Sequence, residues 1–205
     1  AGLGQQYQGQ SLRGDFSDMT NRLRAGNLQR EMLVKAARVK GIPSPLVIDA
    51  TAGMGEDALI LAAAGFRVQL YERDPVIAAL LKDSLRRAAR IPEFSDVTGR
   101  MELHEGDSIA VMRRLTVPPD VILLDPMFPE KQKSSLTKKK FQLLHLLERP
   151  CEEEDTLLQA AVEAGPRKII IKRPLKGSYL SGRKPDYSLK GKAIRYDCIV
   201  FARKE

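Results

Sequence analysis

Short apolar runs alternate with longer amphipathic segments along most of the chain. The apolar runs have the length of buried strands, and we predict strands at residues 46–50, 67–72, 101–105, 121–124, 168–172 and 194–201. Apolar residues at helical spacing predict helices at residues 27–40, 56–64, 75–90, 108–115, 141–147 and 156–164. Strands that alternate with helices form βαβ units. The pattern therefore predicts an α/β fold, a mostly parallel sheet with helices on both faces.

The first part of the chain departs from this pattern. Residues 1–26 are polar, with Gln and Gly frequent at the start, and we expect them to form a flexible or loosely docked lead-in. The helix predicted at residues 27–40 is followed by Gly41-Ile42-Pro43, a sequence that stops helices. We therefore divide the chain into an N-terminal lead-in with one helix, residues 1–41, and an α/β domain, residues 42–205.

Composition narrows the class of protein. The chain has 205 residues, 43% of them hydrophobic, which suits one domain with a small appendage. No apolar run is long enough to span a bilayer, and the N-terminal segment lacks the apolar stretch of a signal peptide. Two cysteines without a CxxC pair and two histidines disfavour a disulfide framework and a metal site, and they fit a reducing cytoplasm. The net charge of +8 favours a polyanionic partner such as nucleic acid.

A glycine-containing turn joins the first strand of the α/β domain to its first helix. Residues 53–58 fit the GxGxxG/A pattern of dinucleotide-binding enzymes, so a nicotinamide cofactor is one candidate. The acidic side chains around this turn would repel a pyrophosphate, but they attract the ammonium and sulfonium groups of S-adenosylmethionine (SAM). The turn therefore favours SAM. Its candidate cofactor-binding residues are Asp49, Gly53, Gly55, Glu56 and Asp57.

Polar residues also follow the next two predicted strands. Glu72 ends the second strand, where an acid can accept hydrogen bonds from the ribose hydroxyls of either cofactor class. Arg73 beside it could pack over the adenine ring or lie free on the surface. Asp107 and Ser108 could cap a helix, and in a methyltransferase the same position contacts the adenine amino group.

The fourth strand runs into the sequence Asp-Pro-Met-Phe-Pro, residues 125–129. An exocyclic amine of a nucleobase is a poor nucleophile, because its lone pair is delocalised into the ring. A carboxylate and a backbone carbonyl that accept its N–H protons return electron density to the nitrogen, and an aromatic ring can stack on the extruded base. Asp125, the Pro126 carbonyl and Phe128 provide these groups. We predict them as the catalytic residues.

Three motifs together resemble one known family. Residues 49–55 (DATAGMG), 125–134 (DPMFPEKQKS) and 172–174 (KRP) are similar to the bacterial 16S ribosomal RNA guanine-N2 methyltransferase J family, over roughly residues 20–201. The resemblance implies a Rossmann-like class I methyltransferase with a seven-stranded, mostly parallel sheet and a reversed final strand. It makes residues 42–205 the methyltransferase domain. By the same resemblance the cofactor-binding positions are Glu56, Asp57, Glu72, Arg73, Asp107, Ser108 and Asp125.

Basic residues crowd the segment after this motif and the last third of the chain. Their proximity to the predicted target-base pocket suggests contacts with RNA phosphates, which would position the substrate without selecting a sequence. A run of charge is more often only a solvated surface. The candidate RNA-binding residues are Lys131, Lys133, Lys138, Lys139, Lys140, Lys172 and Arg173.

The sequence therefore predicts a cytoplasmic enzyme that uses SAM to methylate the N2 amine of a guanine in 16S rRNA, with the rRNA or the small ribosomal subunit as its partner. We expect neither a metal nor a membrane to be involved. An adenine-N6 nucleic-acid methyltransferase is an alternative, because the catalytic motif is shared. A dinucleotide-dependent oxidoreductase and a non-catalytic RNA-binding protein are alternatives from other classes.

Overall fold

A computed structural model of the chain describes residues 5–7, 10–126 and 154–202. The described residues form nine strands: β1 (Gln5–Tyr7), β2 (Gln10–Leu12), β3 (Leu46–Asp49), β4 (Arg67–Glu72), β5 (Met101–Glu105), β6 (Val121–Leu124), β7 (Lys168–Pro174), β8 (Tyr187–Lys190) and β9 (Ile194–Val200). Seven of them form one sheet in the order β5-β4-β3-β6-β7-β9-β8, while β1 and β2 form a separate antiparallel pair. Strands β3 to β7 are parallel, and β9 runs antiparallel to both of its neighbours. The predicted sheet with a reversed final strand is confirmed.

Helices flank the sheet at places that the sequence largely predicts. They are α1 (Ala25–Leu28), α2 (Met32–Ala37), α3 (Glu56–Ala63), α4 (Pro75–Ala88), α5 (Pro92–Thr98), α6 (Ser108–Met112) and α7 (Glu154–Glu163). The start of α4 shows why these segments become helical: the Asp74 side chain accepts the N–H groups of Val76 and Ile77, and Pro75 occupies the first turn. None of the described helices is long and apolar enough to cross a membrane.

Alternate residues of the central strands face two different hydrophobic clusters. Val47 packs with apolar residues of α2, α3, α4 and α5 on one face of the sheet. Ile48, the next residue of β3, packs with residues of α6 and α7 on the other face. Side chains of a strand point alternately to the two faces, so a strand covered on both sides is apolar throughout. The predicted arrangement of helices on both faces is confirmed.

The lead-in differs from its prediction in two ways. Residues 27–40 do not form one helix, because Glu31 leaves the helical region with ψ 125° and so separates α1 from α2. The Glu31 carboxylate forms a salt bridge of 2.6 Å with Arg22 at this break. The lead-in is also not loosely docked at Phe16 and Met19, which are buried in the same hydrophobic cluster as β3. The division of the chain at residue 41 stays a prediction.

Two elements of the domain are absent from the sequence prediction. Helix α5 begins at Pro92 directly after α4, and too few apolar residues mark it. Strand β8 is the seventh strand of the sheet, and it lies at the edge beside β9 with its side chains partly exposed. An edge strand lacks the continuous apolar run by which the inner strands are recognised. The helix predicted at residues 141–147 lies outside the described residues.

Candidate active site

The predicted site residues lie where the parallel strands end. Strands β3, β4, β5, β6 and β7 point the same way, so their carboxyl ends meet along one edge of the sheet. In open α/β sheets ligands bind along this edge, near the point where the strand order reverses. Here the order reverses between β3 and β6, and the turns after these two strands carry the two main motifs. The topology therefore brings the predicted cofactor-binding and catalytic turns side by side.

The turn after β3 needs its two glycines for conformation and space. Gly53 has φ +52° and Gly55 has φ +76°, values that residues with a side chain rarely adopt. A Cβ atom on Gly55 would also lie 2.7 Å from the Leu81 side chain of α4. Gly55 is the N-cap of α3, and Glu56 and Asp57 occupy the first turn of that helix, where acidic side chains are favourable.

The Glu72 carboxylate, at the end of β4, holds this turn in place. One of its oxygens accepts the N–H of Gly53 at 2.9 Å, and the other accepts the N–H of Asp74 at 2.8 Å. Burial raises the pKa of Glu72, while these backbone donors lower it. Each carboxylate oxygen has a second lone pair, so Glu72 can still accept hydrogen bonds from the two hydroxyls of a ribose.

The donors of the glycine turn distinguish between the two cofactor classes. The Gly53 N–H is taken by Glu72, and the Gly55 N–H donates to the Ala52 carbonyl at 2.8 Å. A dinucleotide pyrophosphate would need such N–H groups at the start of the helix. SAM instead needs acceptors for its ammonium and ribose groups, and carboxylates line the turn. The residues present therefore fit SAM better than a dinucleotide.

The positions after β4 and β5 combine structural and possible ligand contacts. Asp107 is the N-cap of α6 and accepts the Ile109 N–H at 2.9 Å, as the capping interpretation predicted. Ser108 behind it is buried, and Arg73 after β4 is exposed. Asp107 and Arg73 thus remain accessible to an adenosine at this edge, and their contacts with it stay predictions.

Asp49, at the end of β3, is buried, with 2% of its surface exposed. Burial and the neighbouring Asp57 carboxylate raise the pKa of Asp49 to about 8, and the N–H of Thr51, which it accepts at 3.2 Å, only partly offsets this. Most Asp49 side chains are therefore neutral at pH 7. Near neutral pH the attraction that the turn exerts on the cationic groups of SAM therefore comes mainly from Glu56 and Asp57 and less from Asp49.

Asp125 and Pro126 follow β6 directly and are the last described residues before the gap. The backbone N–H of Asp125 donates to the Thr51 hydroxyl at 2.7 Å, which ties the catalytic turn to the glycine turn. The Asp125 side chain is one-third exposed, so its carboxylate can reach a substrate. Phe128, the predicted stacking residue, lies outside the described residues, as do Lys131, Lys133, Lys138, Lys139 and Lys140.

Lys172 does not lie on a basic surface, as the phosphate-contact hypothesis required. Its ammonium group lies 2.7 Å from an Asp57 oxygen and 2.9 Å from an Asp125 oxygen, so it bridges the two motifs. Burial alone would lower the pKa of Lys172, but these two carboxylates raise it above the ordinary value. Three-quarters of the side chain is covered. In this structure Lys172 is a counter-ion within the site, and its contact with RNA phosphates stays a prediction.

Arg173 is a structural residue in this conformation. Only 2% of its surface is exposed, and its guanidinium donates to the Ser178 carbonyl at 2.9 Å and to the Ser178 hydroxyl at 3.2 Å. It also lies 3.6 Å from Glu154 of α7. A buried guanidinium that fastens its own loop is not exposed to a phosphate in this conformation, and a role for Arg173 in RNA binding stays a prediction.

Sequence reasoning missed Thr51 and Tyr196. Thr51 lies inside the quoted glycine motif, but nothing in the motif indicates that its hydroxyl accepts from Asp125. Tyr196 is buried and pairs with Lys172 across β7 and β9. Burial and the Asp57 carboxylate raise the pKa of its phenol, so it stays neutral beside the ion pairs. Both contacts depend on the register between neighbouring strands, which cannot be read from the sequence.

The comparisons with known proteins identify the family of the chain. Residues 3–201 match the model of a family of SAM-dependent methyltransferases. Ribosomal RNA small subunit methyltransferase J of Nitrosococcus oceani is 41% identical over 184 residues, which cover 89% of this chain and 72% of that protein. The protein of the same name from Pseudomonas aeruginosa strain UCBPP-PA14 is 42% identical over 189 residues, 91% of this chain and 72% of its own length.

Solved structures show the same architecture. The crystal structure of a SAM-dependent methyltransferase from Neisseria gonorrhoeae has a TM-score of 0.78 and 31% identity, covering 97% of this chain and 79% of that one. The rRNA methyltransferase aviRa from Streptomyces viridochromogenes, at 17% identity and a TM-score of 0.57, shares the fold alone. The chain belongs to the ribosomal RNA small subunit methyltransferase J family and is a SAM-dependent class I methyltransferase.

Proposed function

We propose that this methyltransferase transfers a methyl group from SAM to the exocyclic N2 amine of a guanine in 16S rRNA of the small ribosomal subunit. The observation that carries the proposal is the Asp125 carboxylate, held by Thr51 and Lys172 at the same edge as the cofactor turn. The relatives named as small-subunit rRNA methyltransferases support the RNA substrate. A cytoplasmic location follows from that substrate.

In this proposal the cofactor supplies an electrophilic methyl group, and residues of the chain hold the two reactants. Glu72 accepts hydrogen bonds from the ribose, and Asp57 with the other acids of the turn attracts the cationic groups of SAM. Asp107, Ser108 and Arg73 surround the adenine. Lys172 already neutralises part of the acidic turn, so the attraction is weaker than the sequence alone suggests.

The target amine would lie between Asp125 and the carbonyl of Pro126. When both accept its N–H protons, the nitrogen lone pair becomes available to form the bond to the methyl carbon as the bond from that carbon to sulfur breaks. The methylated nitrogen then loses one proton, and the Asp125 carboxylate is placed to accept it. Phe128 would stack on the extruded base.

Phosphate contacts would come from the lysines at 131, 133, 138, 139 and 140. They follow the catalytic motif in the sequence and lie outside the described residues, so their part in RNA binding rests on sequence position and charge. We further propose that residues 42–205 are the methyltransferase domain and that residues 1–41, of which Phe16 and Met19 pack on the same core, support it.

A transfer assay with identification of the product tests this function. The purified protein is incubated with methyl-labelled SAM and with either naked 16S rRNA or small subunits from cells that lack the gene. The RNA is digested, and its nucleosides are identified by mass spectrometry. We expect N2-methylguanosine from one or both substrates. Labelled N6-methyladenosine would support the alternative, and no transfer to either RNA would contradict the proposal.

A further inference from the structure

Lys172 lies between the Asp57 and Asp125 carboxylates of the site. Strand register puts it there: Leu124 of β6 pairs with Ile171 of β7, so Lys172 is placed beside Asp125. On the other side Lys172 pairs with Tyr196 of β9. Asp57 comes from the first turn of α3, across the same edge. Three elements therefore converge on a single ammonium group.

The geometry makes this ammonium a bridge and not a surface charge. Its two contacts, 2.7 Å to Asp57 and 2.9 Å to Asp125, are both short charge-assisted hydrogen bonds. The Asp57 side chain is 15% exposed and the Asp125 side chain 34%, so Asp57 is the better anchored partner and Asp125 the one that faces a substrate. Asp57 thus anchors the Lys172 ammonium group, and the ammonium group holds the Asp125 carboxylate in place.

We infer that Lys172 is a positioning residue for the methyl-transfer step: it keeps the Asp125 carboxylate ionised and directed at the target amine. This inference rests on the proposed role of Asp125. The other charged and titratable groups near Asp125 do not replace Lys172. Burial raises the pKa of Asp125, Lys172 lowers it, and the Asp57 carboxylate raises it again. The groups that act on this cluster are Asp49 from β3, Asp57 from α3, Arg173 from β7, Tyr196 from β9 and Arg22 from the lead-in.

Without Lys172, the Asp57 and Asp125 carboxylates would be left with Arg173 and Arg22 as nearby cations, but the Arg173 guanidinium is held by Ser178 and Arg22 is paired with Glu31. Two neighbouring carboxylates that share a poorly hydrated site do not both stay ionised at neutral pH. Asp125 would then hold a proton and could no longer accept a hydrogen bond with full negative charge. Replacement of Lys172 should therefore change the pH dependence of the reaction and not only its rate.

The first test needs no RNA. Carbon-13 NMR of carboxyl-labelled aspartate follows the titration of Asp125 in the free protein, with the signal assigned through Asp125→Asn. In Lys172→Met the titration midpoint of Asp125 should move to higher pH, while Lys172→Arg should stay close to wild type. Lys176→Met is the matched control, because Lys176 is an exposed lysine in the loop after β7. An unchanged midpoint in Lys172→Met would overturn the inference.

The second test measures single-turnover methyl transfer at saturating SAM between pH 6 and pH 9. For Lys172→Met we expect a loss on the order of tenfold or more at the acid end and recovery toward high pH, because each unit of midpoint shift changes the ionised fraction about tenfold. Lys172→Arg should keep the wild-type profile. If Lys172→Met keeps the wild-type profile and only weakens RNA binding, Lys172 contacts phosphate and the inference is wrong.

A double variant separates a loss of folding from a change in the ionisation of Asp125. Lys172→Met leaves an uncompensated carboxylate, so the double variant Asp57→Asn/Lys172→Met restores charge balance and is titrated in the same way if the single variant melts early. Its Asp125 midpoint should still lie above that of Asp57→Asn alone. If the wild-type protein methylates no guanine, the proposed function fails, and the NMR titration still decides whether Lys172 controls Asp125.

Discussion

The Thr51 hydroxyl accepts the backbone N–H of Asp125 at 2.7 Å. These residues are 74 positions apart, and the contact joins the turn after β3 to the turn after β6. This hydrogen bond links the glycine turn to the turn that carries Asp125, so we expect a change at Thr51 to act on the position of Asp125.

Thr51→Val should impair methyl transfer through Asp125. Valine keeps the shape of threonine but leaves the Asp125 N–H without its acceptor, which costs about 1 kcal/mol of stability or somewhat more. We expect kcat to fall roughly tenfold, since about 1.4 kcal/mol at the transition state has that effect. Steady-state assays at saturating SAM measure it. Thr51→Ser, which keeps the hydroxyl, should remain near wild type, and equal losses in both variants would show that the contact does not matter.

Glu72→Ala should weaken cofactor binding and loosen the glycine turn together. The change removes the acceptor for the ribose and leaves the N–H groups of Gly53 and Asp74 without their partner. We expect a loss of roughly 1.5–3 kcal/mol in SAM binding, because the acceptor is charged. Calorimetric titration gives the Kd, with Glu102→Ala on the exposed part of β5 as the control. An unchanged Kd for SAM would remove Glu72 from the ribose site.

Asp49 makes the free protein less stable as the pH rises. Its pKa in the folded state is about 8, above the value in the unfolded chain, so between about pH 4 and 8 the folded state holds a proton that the unfolded state has lost. The free energy of unfolding should fall with rising pH in this window, by at most about 1.4 kcal/mol per pH unit from this group, and level off above it. Denaturant unfolding at pH 6 and pH 8.5 measures the slope. Asp49→Asn should flatten it, and an equally steep slope in that variant would assign the effect elsewhere.

The lysines after the catalytic motif should govern the salt dependence of RNA binding. Phosphate contacts release counter-ions, so the logarithm of the affinity falls linearly with the logarithm of salt concentration. Replacement of Lys138, Lys139 and Lys140 together by Ala should reduce that slope by roughly 2–3, close to 0.7–0.9 for each lost contact. Filter binding at several salt concentrations gives the slope, and SAM binding serves as the control. A slope that does not respond would make this cluster a solvated surface.

The sequence predicts those features of the fold and site that depend on residues close together in the chain. The inner strands and the position of Asp125 followed from apolar runs that end in polar residues, because this pattern reflects burial within a few residues of the chain. The position of Glu72 at the end of β4 was predicted for the same reason. Strand β8 was not predicted because an edge strand is half exposed and lacks a continuous apolar run. The break at Glu31 was not predicted because it is accompanied by a salt bridge to Arg22, nine residues earlier, which no local pattern indicates.

Lys172 shows the other limit. In the sequence it stands in a basic stretch, and charge alone made it a phosphate contact. Its partners Asp57 and Asp125 are 115 and 47 residues away in the chain. Asp125 meets it because β7 lies beside β6 in a fixed register, and Asp57 comes from the first turn of α3 at the same edge of the sheet. The neutral state of Asp49 likewise depends on burial among neighbours that no local pattern reveals.

The proposed function requires the Asp125 carboxylate to act on the target amine. Single-turnover transfer at saturating SAM, with Asp125→Asn and Asp125→Ala beside wild type, isolates this step. Asp120→Asn is the matched control, because Asp120 precedes β6 and lies at the opposite end of the same strand. We predict that both Asp125 variants lose on the order of 10²-fold or more in rate, with RNA affinity little changed, while the control stays near wild type. A near-normal rate in Asp125→Ala, with SAM shown to be bound, would contradict the account.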